Sequence, residues 1–70
     1  MDKNDIMRGI RVMRGMSRDQ AAHEIGVAPQ TIGNWECGRT EPNRQYLVSM
    51  SKAYHVSIDQ LVGLEDVVAQ

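Results

Sequence analysis

Gly26 divides SRDQAAHEIGVAPQTIGNWE, residues 17–36, into two short amphipathic segments with only Val27 and Ala28 left to carry the chain between them. A connection that short forces two helices to cross, which is the geometry of a helix-turn-helix. Ser17 can cap the first helix, Gln20 three residues on completes a capping box, and Asp19 sits at the positive helix end. Ala21, Ala22 and Ile25 recur as its inward face, and Gly26 stops it. Ala28 leads into the second helix, with Pro29 at its first position, where the missing N–H costs nothing. Ile32 and Trp35 then turn inward, leaving Gln30, Gly33, Asn34 and Cys37 along one outer face.

The rest of the chain parses into further helices around this pair. The first runs from about Lys3 to Arg14, with Ile6, Ile10 and Met13 at helical spacing and Gly15 ending it. After the pair, CGRTEPN has the glycine, proline and asparagine of a loop. Asn43 can cap a fourth helix, about Arg44 to Tyr54, that buries Leu47, Met50 and Tyr54. Ser57 with Gln60 repeats the capping box for a short fifth helix through Val62, and Val56, Ile58 and Leu61 close the core. No strand candidate competes, so the expected class is all-α, with five helices in one domain over residues 3–63 and a short tail over 64–70.

A chain of 70 residues has room for one core. Cys37 is the single cysteine and only His23 and His55 accompany it, so no disulfide, zinc site or cofactor is expected. No apolar run reaches membrane-spanning length, and MDKNDIMRGI is too polar for a signal peptide. A cytoplasmic protein without a membrane partner is the expectation. Scattered carboxylates and a cysteine without an activating histidine argue against an enzyme.

The net charge of −1 conceals an uneven distribution. Residues 1–54 carry all eight basic side chains against six acids, a balance of +2, while residues 55–70 carry three acids and no base. The basic footprint is modest for a nucleic-acid binder.

From Met7 to Gly63 the chain resembles the lambda repressor/Cro-like, or XRE, helix-turn-helix family. MRGIRVMRGMS is similar to its first helix and the approach to the second, HEIGVAPQTIGNWECGRTEPN to its turn, recognition helix and following loop, and LVSMSKAYHVSIDQLVG to its last two helices, all in order and without insertions. The resemblance implies sequence-specific binding of double-stranded DNA, usually as a homodimer, in repressors of phages and mobile elements, antitoxins and other bacterial regulators.

Carried over position by position, it implies that helix three, about residues 29–36, enters the major groove with Pro29, Gln30, Gly33 and Asn34 facing the bases. Ser17, Arg18, Thr31, Gly38, Arg39 and Thr40 match phosphate-contacting places, with Arg14 and Arg44 as lesser candidates. Arg11 and Glu36 match a partly buried ion pair that ties helix one to the end of helix three. The chain departs from the family pattern twice: relatives commonly have glutamine at the position of Arg18 and a side chain able to reach DNA at that of Gly33.

Gln30 and Asn34 are i, i+4 neighbours, so both amides can enter a groove together, each able to bond the N6/N7 edge of adenine with about 1–3 kcal/mol of discrimination. The plainer alternative is two solvated amides. Gly33 costs about 1 kcal/mol against alanine in a helix interior, which suits a close approach to DNA or a surface position without a role. Leu61, Leu64, Val67 and Val68 recur near helical spacing and suggest a two-fold dimer interface that would place recognition helices about 34 Å apart on a palindromic operator. The alternative for this segment is a frayed terminus.

No sensory or catalytic domain fits beside the helices in 70 residues, so the expected function is a DNA-binding transcription regulator that represses by occupying its operator. The competing expectation is a helical protein-interaction module, an antirepressor-like adaptor or antitoxin subunit, whose main partner is another protein.

Overall fold

The computed structural model describes residues 3–64, with side chains from residue 5 onward, as five α-helices: α1 (Lys3–Met13), α2 (Arg18–Ile25), α3 (Pro29–Glu36), α4 (Arg44–Tyr54) and α5 (Ile58–Leu61). There is no strand among the described residues. Helix α2 packs on α3 and α4, α1 on α3 and α5, and α4 on α5, so every helix meets the same core.

Local chemistry sets the boundaries. The Ser17 hydroxyl accepts from the Gln20 amide at 3.1 Å while the Gln20 side-chain oxygen accepts from the Ser17 amide at 2.9 Å, and Ser57 with Gln60 does the same at 3.0 and 2.8 Å. Asn43 caps α4 through the Tyr46 amide at 3.0 Å. Each arrangement satisfies donors that have no partner inside the helix. Gly26 ends α2 in the left-handed region at φ 91°, which a residue with a Cβ rarely adopts, and its N–H reaches the Ala22 carbonyl at 2.8 Å.

The core is Met7, Ile10, Ala21, Ala22, Ile25, Ile32, Trp35, Met50, Tyr54 and Leu61. The small Ala21 and Ala22 are fully enclosed where α2 passes over its neighbours, and Trp35 and Tyr46 stack obliquely with ring centroids 5.3 Å apart. Ile6, Leu47 and Val56 pack partly buried around this centre.

Two expectations need correction. Met13 is not part of the core: it is 44% exposed, and Met7 lies in the core instead. At about 100° per residue, the buried Met7, Ile10 and Arg11 share one face of α1, and Met13 falls about 110° from the middle of that face. Leu61 does not belong to a dimer interface either, because its side chain has no exposed surface left to offer. Of the other residues expected there, Leu64 is 79% exposed, while Val67 and Val68 lie outside the described residues.

No helix among the described residues is long and apolar enough to cross a membrane, and no cluster of His, Cys, Asp and Glu among them has the makings of a metal site.

Candidate nucleic-acid interface

Helix α3 has one side fixed in the core and one side open. Ile32, Trp35 and Glu36 are buried, whereas Pro29 and Gln30 are exposed and Thr31, Gly33 and Asn34 half-buried. The helix begins without a side-chain cap, since Ala28 has none to give. Its other end winds into the loop. The Asn34 carbonyl accepts from the Arg39 amide at 2.9 Å and the Thr40 amide at 3.4 Å, while Gly38 takes φ 79°. These bonds hold Gly38, Arg39 and Thr40, all exposed, against the carboxyl end of α3. The sequence-derived candidates on α3 and in its loop therefore occupy one continuous surface.

Beneath that surface the orientation of α3 is set by a buried carboxylate. Arg11 Nε donates to Glu36 Oε2 at 2.7 Å, Arg11 Nη2 donates to Glu36 Oε1 at 3.1 Å, and Arg11 Nη1 donates to the Met16 carbonyl at 2.8 Å. A planar guanidinium meeting a carboxylate at two points fixes direction as well as distance. The hydrogen bond to Glu36 holds the Arg11 pKa above its ordinary value, against the opposing effect of burial, so the guanidinium stays charged. Arg11 and Glu36 are thus joined as the family pattern implies.

Arg18, in the first turn of α2, reaches across to the same carboxylate from outside, with Nε 3.7 Å from Glu36 Oε1 and the side chain 55% exposed. Its guanidinium passes over Gly33. A Cβ at position 33 would lie 3.4 Å from Arg18 Nη1 and 3.6 Å from Cζ. The two positions at which the sequence departs from the family pattern are therefore in contact. The space above Gly33, expected to admit DNA, is roofed by an arginine.

Arg14 has a different place from the one expected of it. Its Nε donates to the Tyr54 carbonyl at 2.7 Å and Nη2 to the His55 carbonyl at 3.3 Å, so it caps the carboxyl end of α4. A cation suits that end of a helix, and here it steadies His55 in a left-handed turn at φ 57°. The one legible sign of this role is its position three residues after Arg11, on the inward side of α1. Arg39 and Arg44 remain exposed, and neither forms an ion pair with the described residues.

A compact helical domain that buries one side of an eight-residue helix and presents amides and arginines on the other is a helix-turn-helix module. The chain belongs to the lambda repressor/Cro-like (XRE) helix-turn-helix family, whose helix-turn-helix model matches residues 7–61. It is similar to the HTH-type transcriptional activator BcrR of Enterococcus faecalis, 29% identical over 97% of this chain and 33% of BcrR. It is also similar to two proteins of Bacillus subtilis (strain 168). The HTH-type transcriptional regulator YobD, itself uncharacterized, is 32% identical over 86% of this chain and 54% of YobD; the HTH-type transcriptional regulator ImmR is 26% identical over 87% and 48% respectively. The chain thus spans between about a third and about half of the length of these relatives.

Proposed function

We propose that this chain binds double-stranded DNA sequence-specifically, lays α3 in the major groove, and regulates transcription by occupying an operator. The observation that carries the reading is the two-sidedness of α3. Gln30 and Asn34 stand one turn apart on its open side, while Trp35 and the Arg11–Glu36 pair fix the opposite side. A helix held that rigidly presents its amides in a defined register, and adenine edges are their natural acceptors and donors.

Around them, Ser17, Thr31, Gly38, Arg39 and Thr40 are the phosphate contacts, with Arg39 supplying positive charge next to the end of α3. Dimerisation through Leu64 and the segment beyond it would pair two such surfaces on a palindromic operator. Repression by excluding polymerase, as in regulators of phage or mobile-element type or in antitoxins, is the simplest outcome of occupancy. The likeness to BcrR, named an activator, favours a second reading in which the same docking recruits rather than blocks.

Selection of bound duplexes from a random pool, followed by a salt titration on the winning sequence, tests the proposal. Recovery of a defined motif with steep salt dependence supports it, and Arg39→Ala should flatten the slope of log affinity against log salt by about 0.9. Absence of binding to any duplex at low salt would overturn it in favour of the adaptor or antitoxin-subunit alternative.

A further inference from the structure

We propose that Arg18, although it belongs to α2, reads a guanine in the DNA major groove through the gap that Gly33 leaves on α3. The inference rests on the DNA-binding reading above and reassigns Arg18 from a phosphate clamp to a residue that selects sequence.

Three observations carry it. The first is position. The Arg18 guanidinium lies where the side chain of residue 33 would begin, with Nη1 3.4 Å, Cζ 3.6 Å and Nε 3.9 Å from the place of the missing Cβ. At about 100° per residue, residue 33 lies about 60° round the helix from Gln30, on the side away from Asn34 and next to Glu36, so the guanidinium flanks Gln30 at the edge of the open face.

The second is tethering. Glu36 Oε1 lies 3.7 Å from Arg18 Nε, too long for a hydrogen bond but close enough for charge attraction. Glu36 is 3% exposed and already bonded at both oxygens by Arg11, so it holds Arg18 across Gly33 without depending on it. The guanidinium is preplaced, which reduces the ordering that binding would otherwise require.

The third is unspent capacity. No N–H of the Arg18 side chain makes a hydrogen bond to the described residues, and more than half of the side chain is exposed. A planar fork of free donors at a major-groove surface matches guanine O6 and N7, the commonest specific contact of arginine with DNA. A longer side chain at position 33 would occupy the same space, so glycine there is a condition of the contact rather than an empty place on the helix.

The test compares the full chain with Arg18→Ala and Arg18→Lys on duplexes selected from a random pool, with thermal unfolding measured alongside. The wild-type motif should contain one G·C pair per half-site whose replacement weakens wild-type binding about 5- to 150-fold. Arg18→Ala should lose that preference while its melting temperature stays close to wild type. Arg18→Lys should keep the salt dependence yet lose most of the preference, because an ammonium cannot make the paired contact.

If Arg18→Ala instead weakens all sequences equally and flattens the salt slope by about 0.9, Arg18 is a phosphate clamp and the inference falls while DNA binding stands. An unchanged motif and affinity would overturn it as well. If the wild-type chain selects no duplex, the underlying DNA-binding reading fails and takes this inference with it.

Discussion

Arg11 of α1 and Arg18 of α2 approach the same carboxylate, one within the core and one at the surface. Arg11 meets Glu36 at two points in an almost closed environment, 9% exposed, while Arg18 stands off at 3.7 Å with most of its side chain in water. The inner contact fixes how α3 is tilted. The outer one leaves a cation lying over Gly33, held by charge alone. Identical residue types thus meet one carboxylate in two ways, one closed off and bonded at two points, the other exposed and held only by charge.

Breaking the inner contact should have the largest effect. Glu36→Gln leaves the Arg11 guanidinium buried without a counter-charge, and urea unfolding should show a loss of about 3–5 kcal/mol. Arg18→Ala, judged the same way, should change stability by less than about 0.5 kcal/mol, as exposed pairs do. Equal losses in the two variants would erase the distinction between the buried and the exposed contact.

Tyr54 sharpens the comparison from within the core. Its hydroxyl is fully buried with no hydrogen-bond partner among the described residues. Burial first, and then the negative charge of Glu36, push its pKa up to about 12 from an ordinary 10. The folded state therefore favours the protonated phenol more than the unfolded chain does. The associated stability is intact below pH 10 and is lost as pH rises from 10 through 12, by roughly 2–3 kcal/mol in all. Tyr54→Phe should remove this alkaline loss and, by deleting an unsatisfied hydroxyl, raise stability at pH 7 by about 1 kcal/mol. The check is chemical unfolding of both proteins at pH 7 and pH 11; an identical alkaline loss in the phenylalanine variant would reject the assignment.

The smallest effect concerns two helical glycines. A Cβ at Gly9 would meet nothing within 4 Å, whereas one at Gly33 would touch the Arg18 guanidinium at 3.4 Å. Gly9→Ala should raise the unfolding free energy by about 0.5–1 kcal/mol, and Gly33→Ala by somewhat less. A larger gain at Gly33 than at Gly9 would mean that Arg18 does not occupy the space above it.

What the sequence discloses follows from the range of the interactions involved. The caps Ser17, Asn43 and Ser57, the stop at Gly26 and the inward Ile32 and Trp35 depend on neighbours within one or two turns, so their chemistry is written locally. The ion pair of Arg11 and Glu36, 25 residues apart, was legible only through resemblance to a family. Arg14 capping α4 across 40 residues left almost no local trace. Met13 recurs with Ile6 and Ile10 yet stays exposed, because a stripe read at one spacing can follow the rim of a buried face rather than its centre. Leu61 was overextended, since one side chain cannot both fill the core and cover a second subunit. On the outer side of α3 the residue types were legible, but the crossing of Arg18 over Gly33 was not, because it joins two helices whose packing no short pattern encodes.

On the proposed docking, the brevity of α3 also limits how much text the domain can read. Its eight residues span about 12 Å, the rise of roughly three to four base steps. A word of about four letters recurs by chance roughly once in 256 positions, against the 10⁶ or more competing sites of a genome, so a single reading head cannot designate a unique address. Any unique address must be spelled by repetition, with the same short word recognised again at a fixed offset.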